Sequence, residues 1–154
     1  MQIVVCLDIE DGFALIEQMA RLASLRDASV ELLHVIDVAE RDELEGALRP
    51  GLVRPRVAEA SADALRSERS ALHDVYRQAE ELLVKRGAAK VTLSIGQGRP
   101  ERAIVARLQN LNANLCVLAR RSDRLESPDV GPKSVGHVAR FALDHAPCAV
   151  LLLR

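Results

Sequence analysis

Two apolar runs near the C-terminus, Leu115-Cys116-Val117-Leu118-Ala119 and Cys148-Ala149-Val150-Leu151-Leu152-Leu153, flank a segment whose apolar residues recur at helical spacing. Strand, helix and strand in that order form a βαβ crossover, which requires parallel strands. The same alternation extends back through the chain. Residues 2–7 read as a first strand ending at Asp8. A helix over 13–25 follows, with Phe13, Ile16, Ala20 and Ala23 facing inward and Met19 beside them. The second strand, 30–36, is apolar on both faces through Val30, Leu32, Leu33, Val35 and Ile36, as a parallel strand covered on both sides should be. An irregular excursion comes next, with one helical turn expected at 44–48. A charged helix over 58–86 carries a core stripe of Leu65, Leu72, Val75, Ala79, Leu82 and Leu83, and Gly87 ends it. A third strand covers 90–95. Pro100 starts a helix with Ile104, Leu108 and Leu111 inward, closed by 112–114. A fourth strand at 115–118, a polar loop at 120–132, a helix at 134–144 and a fifth strand at 148–153 complete the chain. Val135, Val138, Phe141 and Ala142 are the expected inner face of that last helix.

Strict alternation of this kind calls for a three-layer α/β sandwich around a five-stranded parallel sheet. The length of 154 residues, without repeats or low-complexity tracts, makes residues 1–154 a single domain. In such a sheet a ligand sits outside the carboxyl ends of the strands, where strand order switches. The loop leaving Leu118 is in that position.

Composition excludes several functional classes. A formal net charge of −1 offers no global field for nucleic acid or an anionic membrane. Aromatic residues are 2% of the chain, too few for a base-stacking surface. No apolar run approaches the roughly 20 residues that span a bilayer. The N-terminal residues have no basic region ahead of their apolar run, so a cytoplasmic location is expected. Three cysteines, Cys6, Cys116 and Cys148, all fall in apolar strand-like runs and read as buried reduced thiols. The four histidines lack the short spacing of a metal pair. His34 reads as packed in the second strand, His73 as solvated, and His145 as a cation at a helix C-terminus. No Gly-x-Ser-x-Gly elbow and no Walker pattern occurs, and Pro132 removes an amide that a phosphate cradle at Gly131-Pro132-Lys133-Ser134 would want. No enzyme activity is expected.

With these elements placed, the chain resembles the universal stress protein family over nearly its whole length. The likeness is carried by Val4-Val5-Cys6-Leu7-Asp8, by Leu32-Leu33-His34-Val35-Ile36-Asp37, and by Ile95-Gly96-Gln97-Gly98-Arg99-Pro100 with Ile104. It continues through Asn114-Leu115-Cys116-Val117-Leu118 and His145-Ala146-Pro147-Cys148 with Val150-Leu151-Leu152. The resemblance implies an adenine nucleotide alpha hydrolase-like fold with strand order 3-2-1-4-5. It also implies a homodimer paired through the final strand, residues 148–153, and regulatory or protective work with an unidentified protein partner. Within the family, Asp8 would hold the adenine and ribose end, although an aspartate there equally caps the following turn, and Val35 would touch the adenine, although ordinary core packing explains it too.

One branch of the family binds ATP with magnesium through Gly-x-x-Gly, nine residues, then Gly-Ser or Gly-Thr. Glycines let the backbone approach phosphates, and amides at a helix N-terminus hold the charge. This chain departs from the pattern at the decisive points. The first two glycine positions fall on Ala119 and Ser122. Counted back from His145-Ala146-Pro147-Cys148, the third falls on Gly136 and the hydroxyl position on His137, with Val138 following. Thirteen residues then separate Ser122 from Gly136. A competing frame takes Gly131 as the glycine before the helix, with Ser134 as the hydroxyl, and the anchored count is preferred because the last helix should keep its length. The candidate site is therefore Asp8, Val35, Leu118, Ala119, Arg120, Arg121, Ser122, Gly136, His137 and Val138. The expectation is weak or absent ATP binding. The alternative is a nucleotide-binding switch in which Arg120, Arg121, Lys133 and His137 replace the glycine cradle by side-chain charge.

Overall fold

The computed structural model describes residues 1–7, 12–37, 55–119 and 135–153, the stretch 55–69 as helical backbone. Its elements alternate as β1 (Gln2–Cys6), α1 (Gly12–Leu22), β2 (Ser29–Ile36), α2 (Pro55–Lys85), β3 (Lys90–Gln97), α3 (Pro100–Asn110), β4 (Leu115–Ala119), α4 (His137–His145) and β5 (Ala149–Leu153). Every strand pair is parallel and the order is β3-β2-β1-β4-β5. The expected sheet and its 3-2-1-4-5 order are present. The helical turn expected at 44–48 and the side chain of Leu65 lie outside what is described.

Because side chains alternate along a strand, the sheet buries two separate cores. Val5, Leu32 and Val117 face α1 and α2 together with Ile16, Met19 and Leu83. Val4, Leu33 and Cys116 face the other layer with Ile104, Leu108 and Ala142. On α1 the inward stripe is Gly12, Leu15, Ile16, Met19 and Ala20. Phe13 and Ala23, expected inside, are only half-buried, because they flank a stripe that runs through Leu15 and Met19. On α4 the fully buried pair is Ala139 and Ala142, whose small side chains let the helix sit close to the sheet. The bulkier Val138 and Phe141 are half-buried beside them, and Val135 precedes the helix.

Helix ends are set locally. α2 stops where Gly87 takes φ 98°, with Gly87 N–H donating to Val84 O and Ala88 N–H to Leu83 O at 2.9 and 3.0 Å. That left-handed C-cap satisfies two carbonyls the helix would otherwise leave open. α3 ends the same way at Asn112 (φ 48°), with Ala113 N–H donating to Leu108 O at 3.0 Å. Asn114 then locks β4 onto β1: its Oδ1 accepts from Gln2 N–H at 2.7 Å and its own N–H donates to Gln2 O at 2.8 Å. At the start of α3, Arg99 is extended because it precedes Pro100, which occupies the first helical position. β3 runs two residues beyond the expected Ile95. Gly96 pairs with Val35 inside the ladder, and the turn is made by Gly98 at φ 122°.

One charged pair is buried in this framework. Glu31, on the interior strand β2 and 3% exposed, accepts two hydrogen bonds from Arg107 of α3, from Nε at 2.6 Å and from Nη2 at 3.0 Å. Nη2 also reaches Ser94 Oγ at 3.4 Å. The carboxylate holds the guanidinium above its ordinary pKa, against the opposing effect of burial.

Candidate ligand-binding crevice

β1 leads through α1 to β2 on one side, whereas β3 returns through α3 to β4 on the other, so strand order switches between β1 and β4. The carboxyl ends of these two strands are where a ligand crevice forms in a sheet of this kind. Of the candidate site residues, Val35, Leu118, Ala119, Gly136, His137 and Val138 are described. Asp8, Arg120, Arg121 and Ser122 lie outside the described residues, as do Lys133, Gly131 and Ser134.

The described residues do not all share one face. Val35 and Val138 are half-buried and pack on the core beneath α3 and α4, where Leu118 is itself a core residue at 4% exposure. Ala119, one position on, packs against the opposite core, as strand alternation dictates. Gly136 is the residue immediately before α4, with φ 92° and ψ 155°, a conformation essentially reserved for glycine. The helix therefore starts at His137, three residues later than the expected 134, with Gly136 directly before it. The first-turn amides of α4 have no partner within the helix, and Gly136 makes no side-chain cap.

The position that would carry a hydroxyl is an exposed imidazole. His137 Nε2 lies 3.7 Å from Glu101 Oε1, a contact that is an ion pair only when the imidazole is protonated. Glu101 is 9% exposed, and His137 is its sole partner among the described residues. Sequence reasoning missed Glu101. The available signal was an acidic residue in the first turn of the helix that leaves the carboxyl end of β3, a place where a carboxylate complements the helix dipole. Its burial against a helix 36 residues further on was not readable from that pattern. Among the described residues no His, Cys, Asp and Glu cluster is fit to hold a metal ion.

Beneath the crevice the three free cysteines share one core face. Cys116 is buried as expected, but Cys6 and Cys148 are half-buried, because Cys6 is the last residue of β1 and Cys148 precedes β5. A hydrogen bond with Cys116, then burial, pushes the Cys6 thiol well above its ordinary value. Burial first, then the neighbouring Cys116, pushes Cys148 up. A raised value favours the unreactive thiol. We expect Cys6 and Cys148 to react with iodoacetamide at pH 8 at least about tenfold more slowly in the native protein than in urea, read by mass spectrometry. Because the folded state binds these protons more tightly, stability from this source is full below the ordinary thiol value of about 8.5 and is lost as pH rises through the folded values.

His34 is buried, with Nδ1 3.1 Å from Leu7 O. His73 is exposed. His145 closes α4, Nδ1 3.0 Å from Phe141 O and its ring stacked on Phe141 at 4.1 Å. These placements match the expectations for all three.

The family model described as the universal stress protein family matches residues 1–154. No curated protein matches the chain by sequence. Among solved structures, the universal stress protein UspA from Lactobacillus plantarum is 20% identical with a TM-score of 0.72, covering 100% of this chain and 97% of its own. A universal stress protein from Archaeoglobus fulgidus, in complex with dAMP, is 18% identical with a TM-score of 0.61 and coverages of 100% and 98%. A universal stress protein family protein from Arabidopsis thaliana, with AMP bound, is 16% identical with a TM-score of 0.61 and coverages of 99% and 90%. These likenesses carry the adenine nucleotide alpha hydrolase-like fold. The match of the family model over the full length carries the rest: the chain belongs to the universal stress protein family.

Proposed function

We propose that this protein is a regulatory or protective binding protein of the cytoplasm, without turnover, whose crevice holds ATP weakly or not at all. The observation that carries the reading is the start of α4. Gly136 is kept there as the backbone demands, yet the next position supplies an imidazole in place of a hydroxyl, and the glycine positions after β4 fall on Ala119 and Ser122. A side chain at Ala119 or Ser122 keeps the backbone from the close approach that a phosphate cradle needs. The residues present do not fit a triphosphate held by main-chain amides. We further propose a homodimer through β5, the edge strand of the sheet. Val150, Leu151 and Leu152 are half-buried there, and an edge left unpaired is a template for a second copy.

A second reading is favoured by the adenine nucleotides named with the relatives from Archaeoglobus fulgidus and Arabidopsis thaliana. In it, Arg120, Arg121, Lys133 and His137 take the phosphates by side-chain charge, with magnesium as counterion. Titration calorimetry with ATP and magnesium separates the two. The first reading expects a dissociation constant of about 1 mM or weaker, and micromolar binding would overturn it. Under the second, reversing the charge of Arg120 and Arg121 abolishes that micromolar binding, and retained affinity would overturn the switch.

A further inference from the structure

We infer that the open edge of β3 docks an extended acidic segment of a partner protein, adding it to the sheet as a further strand. This surface lies away from the crevice, and the inference does not rest on how that crevice treats nucleotides. β3 is one end of the sheet, so one side of its backbone pairs with no described strand. The hydrogen bonds show which groups face outward. Lys90 N–H donates to Ala28 O at 3.4 Å and Gly98 N–H to Ile36 O at 3.1 Å, so the even positions bond toward β2. Alternation then turns the amides and carbonyls of Val91, Leu93 and Ile95 outward. Tyr76 agrees with this: its hydroxyl sits 3.3 Å from Val91 O and covers that end of the edge. Glu80, 3.0 Å from the same hydroxyl, keeps its carboxylate at the covered end. Among the described residues no strand pairs with the outward groups of Leu93 and Ile95, and an open row of this kind is a template for another strand.

Beside that row lies a groove of about 300 Å³ between β3 and α3, lined by Leu33, Ser94, Ile95, Gly96, Ala103 and Arg107. It can take alternate side chains of an added strand. Charge selects the partner. Arg107 uses Nε and Nη2 on Glu31, and its Nη1 donates to no described residue. Arg99, Ala103 and Arg107 follow one another at intervals of four, along one row of α3 and the residue before it. Glu31 balances Arg107, which leaves the exposed Lys90, Arg99 and Arg102 to make the rim positive. Across residues 90–110 the only acidic side chain is Glu101, buried toward α4 beside His137. A positive rim along an open strand edge suits an extended segment whose alternate side chains are carboxylates.

The test is fluorescence anisotropy of the full chain with a short labelled peptide alternating valine and glutamate, beside the same peptide with lysine for glutamate. The glutamate peptide is expected to bind with a dissociation constant of about 100 μM or tighter, and the lysine peptide at least about tenfold more weakly. Ile95→Pro removes one outward amide, and proline is tolerated where an edge N–H faces solvent. It is expected to weaken the glutamate peptide at least about tenfold. Arg99→Glu with Arg102→Glu is expected to do the same with the fold intact, because both side chains are exposed and carboxylates suit the start of a helix. The charge-reversed variant decides the matter alone if Ile95→Pro does not fold. No binding of the glutamate peptide at about 1 mM overturns the inference, as does a lysine peptide that binds equally well. Affinity unchanged by the charge reversal also overturns it. Affinity unchanged in a folded Ile95→Pro puts the peptide elsewhere, on β5 for example, and overturns the β3 assignment. A dimer that Ile95→Pro dissociates, read by sedimentation, would put a second copy of this chain on β3 and overturn it as well.

Discussion

Replacing Arg107 by alanine lowers the free energy of unfolding by about 3 kcal/mol in urea titrations followed by circular dichroism. The size follows from what is left behind. Glu31 sits on the interior strand β2, its side chain 4% exposed, and Arg107 supplies both of its hydrogen bonds in a bidentate clamp. Removing the guanidinium strands a buried carboxylate, and breaking such a pair generally costs about 3–5 kcal/mol. The lower end applies because the Arg107 side chain is itself 37% exposed, so water can reach part of the vacated space. Arg107→Lys is expected to be intermediate, since a lysine cannot form the two parallel bonds. The double variant Glu31→Leu with Arg107→Leu is expected to recover most of the loss, because no charge then remains buried. A loss below about 1 kcal/mol for Arg107→Ala would show that the clamp adds little to stability.

Leu108→Ala is expected to cost about 3 kcal/mol, within the 2–5 kcal/mol range of such truncations. Leu108 is fully buried and packs in one cluster with Val4, Leu33, Ile104, Cys116 and Leu118. Its carbonyl also accepts the bond from Ala113 that closes α3. The surrounding strands are fixed by the parallel ladder, so the cavity should collapse only in part. Leu143→Ala is the matched control: that side chain is 51% exposed, and its truncation should change stability by less than about 0.5 kcal/mol. Equal losses for the two leucines in urea unfolding would contradict the assignment of α3 and α4 to this core.

What could be read in the sequence was what is local. Two-sided apolar runs marked β2 and β4, and Gly87 and Pro100 marked where α2 ends and α3 begins, because backbone conformation at those positions depends on the residue itself. Gly136 was reachable by counting from the C-terminal motif, since a helix of fixed span between loop and strand leaves little freedom. The inner faces of α1 and α4 were read less well. Helical periodicity gives a stripe but not which of its bulky members meets the sheet, and Phe13 and Phe141 ended at the flanks. The two charged contacts that matter most here were not legible. Glu31 and Arg107 are 76 positions apart, and Glu101 meets His137 only because α3 and α4 begin side by side. Long-range pairings of that kind arise from topology and have no local signature.

The same limit decides the function. Ala119 and Ser122 are visible in the sequence, whereas the contact of Glu101 with His137 is visible only in the fold. On the proposed reading the crevice is closed to polyphosphate. The most direct measurement is the nucleotide content of the natively purified protein, released by denaturation and quantified by mass spectrometry against protein concentration. The account expects ATP far below one molecule per chain. Recovery of ATP close to one per chain would contradict it.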